Sequence, residues 1–376
     1  MRSIFFRYCL EFFDAFALIF FRCSSGSLIQ FYCHIFLKNI LMNFFWKIKH
    51  PLINYPHHRN FWKNSTMIIN TGMRTDIPAF FSRWLIDKIR KGEVCVRNPY
   101  NQHQITRFQL DPEIVDCMIF CTKNPRPLLN SLFHFSRFRQ LWHITVTPYG
   151  PEIEPLVPPS SDVIDSIRNL AGTTDPFRIS WRYDPIFITG RYSENFHYEA
   201  FEYFSRQLSG YAENAIISFI KLYSNTLRNH NYLFEVPQET KSRMVKRLSA
   251  IAEKYRLNLI VCGAEPGLQQ CGEKRKVCID RNYLEKIIGS QIDIPSSYKG
   301  ARDDCSCILG SDIGAYNTCI HGCTYCYANH DHEKAKRNFR THNPESPLLF
   351  GEIGQEDQVT DASQKSWISR QLSMFD

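Results

Sequence analysis

Residues 215–224, AIISFIKLYS, are followed by KSRMVKRLSAIAEKYR at 241–256 and by LNLIVCGAE at 257–265. The first and third are short, continuous apolar runs, as strands buried on both faces require. The second repeats its apolar positions every three to four residues, as an amphipathic helix does. Strand, helix, strand in that order implies a parallel pair with the helix crossing over one face. The alternation extends back to Met67. MIINTG (67–72), VDCMIFCTKNP (115–125), LWHITVTPYG (141–150) and FRISWRYDPIF (177–187) read as strands. FFSRWLIDKIRKG (80–92), DVIDSIRNLAG (162–172) and NFHYEAFEYFSRQLSG (195–210) read as helices that stop at glycine. At least six such units predict an α/β fold, a TIM-barrel-like parallel β/α domain over residues 67–300. A cysteine-rich cluster-binding segment and tail follow at 301–376. Neither G-x-G-x-x-G nor G-x-x-x-x-G-K-[ST] occurs, so neither phosphate-cradling loop is available.

The predicted strands end in polar residues. In a parallel barrel these ends converge on one face, where active sites sit. Asp76, Lys123, Asp184 and Lys221 are the candidates for general acid–base work, by position. Arg74, Asn124, Tyr149, Arg182 and Tyr183 are the candidates for binding a small, polar substrate. The competing reading is that the Arg–Asp neighbours only tie loops down.

Charge narrows the partner classes. The chain of 376 residues has 45 Lys+Arg against 37 Asp+Glu, a formal net charge of +8. Residues 1–66 alone hold eight Lys/Arg and two Asp/Glu, which leaves the rest near neutral. Bulk charge therefore indicates no nucleic-acid footprint. Residues 1–66 are rich in Phe, but Arg7, Glu11 and Asp14 break the first apolar run, and Gln30, His34, Lys38 and Asn39 the second. Neither run is a membrane span. We read this stretch as an N-terminal extension outside the fold, with an amphipathic surface anchor as the alternative.

There are 14 cysteines, eight of them between Cys262 and Cys326. A chain this long has ample core-forming sequence and no need of a disulfide framework, so a metal or cluster in a reducing, cytoplasmic setting is the expectation. In TCIHGCTYCYANH (318–330), Cys319, Cys323 and Cys326 form C-x3-C-x2-C. Three thiolates in so compact a loop suit a 4Fe-4S cluster whose fourth iron stays open. Zinc, helped by His321 or His330, is the alternative. Cys262, Cys278, Cys305 and Cys307 are candidates for a second iron–sulfur cluster, with Cys271 in reserve. In another arrangement Cys305 or Cys307 completes the first cluster and closes its open iron. Cys95, Cys117 and Cys121 fall in or near apolar strands and read as core.

With an aromatic residue before its last cysteine, the tract resembles the cluster motif of radical S-adenosylmethionine enzymes. That resemblance implies Cys319, Cys323 and Cys326 as cluster ligands, Tyr325 packed beside the cube, S-adenosylmethionine on the open iron and an electron donor as partner. In that superfamily the motif precedes most of the barrel, whereas here it follows the strands. A wider resemblance runs through RTDIPAF (74–80), VRNPYNQHQITR (96–107), TKNP (122–125), TPYG (147–150), WRYDPI (181–186), LSGY (208–211), residues 305–329 and SPLLFGEI (346–353). These segments are similar to the family called domain of unknown function 1848, which implies a C-terminal cysteine cluster and assigns no reaction. The function expected is that of an iron–sulfur protein of radical S-adenosylmethionine or oxidoreductase type. The alternatives are a non-catalytic ligand-binding barrel with a structural or redox-sensing cluster, and a nucleic-acid repair lyase.

Overall fold

The computed structural model describes residues 67–229, 233–263, 268, 277–295, 298 and 307–369. The proposed N-terminal extension, Cys271 and Cys305 lie outside them. In chain order the elements are β1 (Ile68–Asn70), α1 (Ile77–Phe80), α2 (Ser82–Lys91), β2 (Glu93–Arg97), β3 (Gln104–Gln109), β4 (Cys117–Thr122), α3 (Arg126–Leu129), β5 (Gln140–Thr145), α4 (Ser160–Ala171), β6 (Ile179–Ile186), α5 (Glu194–Leu208), β7 (Asn214–Phe219), α6 (Ser224–Asn229), α7 (Gln238–Lys254), β8 (Asn258–Val261), α8 (Arg281–Ile288), β9 (Ser311–Asp312), α9 (His332–Arg340) and β10 (Gln358–Asp361).

Seven strands form one sheet in the order β8-β7-β6-β5-β4-β1-β9, and every neighbouring pair is parallel. From β4 to β8 each strand lies beside its predecessor in sequence, the winding of a barrel. No closed barrel forms among the described residues. Among the described residues β8 and β9 are the two edges of the sheet, with no ladder between them. One physical reason is that β9 is only two residues long and its described pairing is with β1.

The register sorts side chains onto two faces. Met118, Phe120, Trp142, Ile144, Trp181, Ile217 and Leu259 alternate outward and pack with Val163 and Ile167 of α4, Phe201 and Phe204 of α5 and Leu248 of α7 in the main core. The other face changes character along the strands. At its amino end Ile68, Cys117, Ile119, Leu141, Ile216 and Ile260 pack against Tyr283, Leu284 and Ile287 of α8. Helix α8 thus plugs the lower half, and the Tyr283 hydroxyl reaches the Phe177 carbonyl oxygen at 2.7 Å. Toward the carboxyl end the same face carries His143, Thr145, Arg182, Asp184 and Ser218. Pairs such as Thr145 opposite Arg182 hold these polar residues in register.

A smaller sheet, β10-β3-β2, lies in the same described unit. Its β2–β3 hairpin is antiparallel, and β10 pairs parallel to β3. The C-terminal segment therefore supplies a strand to each sheet.

β9 is fastened by a buried ion pair. Arg74 Nε donates to Asp312 Oδ2 at 2.6 Å, with the two side chains 8 % and 3 % exposed. Gly72, two residues earlier, passes so close to Cys121 that a Cβ there would lie 2.0 Å from its carbonyl oxygen. Removing one partner of a buried pair leaves an uncompensated charge, which typically costs about 3–5 kcal/mol. We therefore predict that Arg74→Met lowers stability to urea by roughly that amount. The double variant Arg74→Met/Asp312→Leu should recover part of the loss.

His197 gives a second handle. It lies buried in α5, its Nδ1 2.8 Å from the Tyr183 hydroxyl and its Nε2 2.9 Å from the Phe187 carbonyl oxygen. Burial lowers its pKa to about 4. The unfolded chain, with an ordinary histidine, binds the proton first, so this contribution is complete above about pH 6.5 and is lost as pH falls toward 4. The loss is on the order of 3 kcal/mol. Stability measured between pH 7 and 4 should fall less steeply in His197→Gln.

Candidate functional site

Above α8, the carboxyl ends of the strands enclose a cavity of about 290 Å³. Its wall includes residues from β1, β4, β5, β6 and β7 and from the segment just after β8. In a flat sheet, strands spaced about 4.8 Å apart would set β1 and β8 about 24 Å from each other. One cavity reached from all of them requires the sheet to curl.

Several of the sequence-predicted residues meet here. Asp76, Lys123, Arg182, Asp184 and Lys221 line the cavity, with Cys262, Cys278, Cys319, Cys323 and Cys326. Four others do not. Arg74 is the anchor of β9. Asn124 donates its backbone N–H to Thr122 Oγ1 at 2.9 Å and turns the chain after β4. Tyr149 stacks on Phe187 at 4.4 Å between ring centroids and stands behind Tyr325. Tyr183 points to the opposite face of β6, into the main core, because its neighbours Arg182 and Asp184 point inward and strand side chains alternate.

The ionisable residues are paired. Asp76 Oδ1 accepts from Ala79 N at 3.1 Å, capping α1. Its Oδ2 accepts from Lys123 N at 2.7 Å and from His321 Nε2 at 2.8 Å. Lys123 Nζ donates to Glu154 Oε1 at 2.9 Å. Burial opposes the Lys123 charge, but the attraction of Glu154 and Cys323 outweighs it and the pKa rises. Glu154 also accepts from Thr147 Oγ1 at 2.8 Å and from the Tyr325 hydroxyl. Asp184 accepts from Ser218 Oγ at 3.2 Å and from Arg182. Burial likewise works against the Arg182 guanidinium, and Asp184, Cys262 and Cys278 together hold it charged, well above the usual range.

The cysteine loop is held from outside. Thr226 Oγ1 in α6 donates to the Tyr325 carbonyl at 3.1 Å, and Asn225 Nδ2 to that of Tyr327 at 2.8 Å. Asn229 reaches the Cys326 carbonyl at 3.3 Å, and Asn329 Nδ2 that of Cys319 at 2.7 Å. These carbonyls are engaged by side-chain donors while all three thiols face the cavity. Gly322, between the first two cysteines, takes φ +74°, a left-handed turn that suits glycine. Burial raises the pKa of Cys319, Cys323 and Cys326 alike.

A second set of thiols is packed more tightly. The Sγ atoms of Cys262, Cys278 and Cys307 all lie within 4.8 Å of one another. Cys278 Sγ is 3.8 Å from Cys262 Sγ and 2.8 Å from Cys307 Sγ. The interaction with Cys262, followed by burial, raises the Cys278 pKa. Cys305, the fourth candidate of that set, lies outside the described residues. The loop triad is not drawn together in this way. Cys121, expected in the core, also faces the cavity, and its burial pushes its pKa up to about 12.

Sequence reasoning missed Glu154, His143 and Ser218. Glu154 lies in the irregular stretch PEIEPLVPP (151–159), where no periodicity assigns a direction. His143 was available from the alternation of β5, which places it on the face of Thr145.

A family model described as Domain of unknown function (DUF1848) matches residues 68–328, more than half of the chain. No curated protein and no solved structure matches. No helix among the described residues is long and apolar enough to cross a membrane.

Glu154 joins the Lys123 strand end to the cysteine loop. Glu154→Ala strands the Lys123 cation in a buried site and frees Tyr325, so a loss of about 3–5 kcal/mol is expected. Limited proteolysis should then cut within residues 318–330 at protease levels that leave the native chain intact.

Proposed function

The chain belongs to the DUF1848 family, and we propose that it is an iron–sulfur enzyme whose 4Fe-4S cluster is held by Cys319, Cys323 and Cys326. The observation that carries this reading is the convergence of three loop thiols with Lys123, Arg182, Asp184 and Lys221 on one cavity. The donor set fits. These are three soft ligands, Cys323 buried and Cys319 and Cys326 half-buried, on a loop whose carbonyls are engaged elsewhere, and they are not drawn together as ligands of a single ion are. A cube spreads its cysteines over separate irons, so the three need not converge on one point.

With three protein thiolates, such a cluster supplies one-electron chemistry and an open iron for a small molecule. S-adenosylmethionine is the co-substrate this reading assigns to that position, with a protein or small-molecule electron donor. The remaining work falls to the chain. Lys123 and Lys221 offer cationic ends for an anionic group of a small, polar substrate. Asp184, braced by Arg182 and Ser218, offers a carboxylate oxygen to a hydroxyl or amino group and is the acid–base candidate. Asp76 is a positioning residue in this scheme, since it already caps α1 and orients His321. Alcohol and amine substrates both fit these groups. The cavity of about 290 Å³ lies at the lower end of small-molecule sites, roughly 300–1,000 Å³.

The clamp that α6 places on the loop also favours a second reading, in which the cluster is a structural staple or redox sensor over a ligand-binding cavity. One experiment separates the two. The full chain is reconstituted anaerobically with iron and sulfide, counted, reduced and examined by electron paramagnetic resonance. The enzyme reading expects about four irons per chain and a signal that changes on adding S-adenosylmethionine. A signal indifferent to it selects the staple. An iron count unchanged in Cys319→Ser/Cys323→Ser/Cys326→Ser would overturn both.

A further inference from the structure

Cys262, Cys278 and Cys307 come from three separate places. Cys262 follows β8, and its backbone N–H still donates to the Ile217 carbonyl at 2.8 Å. Cys278 precedes α8, whose N-cap is Asp280. Cys307 leads into β9, and the next residue, Ile308, donates its N–H to the Ile279 carbonyl at 3.0 Å. The three thiols therefore meet where the segments leaving β8, entering α8 and entering β9 come together. In the barrel-like winding of this sheet, that is the side on which β8 and β9 carry no ladder between them.

We propose that these three thiols bind a single thiophilic divalent cation of the zinc type, distinct from the loop's cluster, which staples the end of β8 to the approach to β9. The spacing is the first support. A metal–sulfur distance of about 2.3 Å in tetrahedral geometry sets ligand sulfurs about 3.8 Å apart. Cys262 and Cys278 are 3.8 Å apart, and all three fit within 4.8 Å; Cys278 and Cys307, at 2.8 Å, have to part by about 1 Å to admit the ion. The donor set is the second support. The three are free thiols, close-packed and largely buried, and soft enough to select zinc-like ions over magnesium or calcium. The third is charge. Three thiolates around a dication carry a net negative charge, and the half-buried Arg182 guanidinium lines the same cavity as Cys262 and Cys278. Cys262 and Cys278 also line the cavity, so the ion would sit at its wall.

The probe is Co²⁺ alone, titrated anaerobically into the full chain after reduction and removal of bound metal, with no iron or sulfide present. One equivalent should bind with thiolate-to-cobalt charge transfer and tetrahedral ligand-field bands. These bands should persist in Cys319→Ser/Cys323→Ser/Cys326→Ser, so a failure of the cluster reading leaves this result untouched. In Cys262→Ser, at a half-buried position that tolerates the change, affinity should fall more than about 10-fold. A second measurement needs no variant. With zinc bound, Cys262, Cys278 and Cys307 should resist alkylation, and chelation should expose them. Cobalt binding unchanged in Cys262→Ser, or lost only from the loop variant, overturns the proposal. So does a Cys278–Cys307 disulfide found in the chain purified under reducing conditions.

Discussion

The carboxylate of Asp76 is the joint on which the site depends. It is buried, so its charge must be met by donors, and three separate segments supply them. One is the start of α1, one the backbone leaving β4 at Lys123, and one the imidazole of His321 within the cysteine loop. The ends of β1 and β4 are thereby fixed relative to a loop whose His321 lies 245 residues after Asp76. His321, so held, lies between Cys319 and Cys323, both of which line the cavity.

The two faces of the sheet divide the labour. The outer face spends large aromatics, Trp142, Trp181 and Phe120 among them, on packing with the helices. The inner face is apolar only where α8 covers it, and polar above. A buried polar residue is costly unless it is paired, and the inner residues pair with one another. Arg182 meets Asp184, Lys123 meets Glu154, and Ser218 meets Asp184. The residues that hold the site together are thus also the ones left facing a ligand.

Much of this is legible in the sequence, for identifiable reasons. Helices α2, α4, α5 and α7 show themselves because an amphipathic stripe repeats over ten or more residues, and Gly92 ends α2 in the left-handed conformation. Strands β4 to β8 show as apolar runs because both faces are covered. The open edge does not show, because the order of β/α units is the same in a closed and an open winding. Strand β9 is Ser-Asp, with no apolar signature, and the β2–β3 hairpin lies within a segment whose Asn-Pro-Tyr-Asn turn hides two short strands. At the site, thiol spacing and polar strand ends locate the cavity. Period-two alternation, applied strictly, also excludes Tyr183. Glu154 is out of reach because an irregular loop gives no rule for where a side chain points.

The pairing of β1 with β9 has a consequence for how the molecule is made. Arg74 and Asp312 are 238 residues apart, so the contact that completes the sheet is among the last to form, and contacts of such separation are slow. Until Ser311 docks beside Ile69, β1 presents a bare edge. The seam between β1 and β9 is therefore the part of the sheet that closes last and opens first.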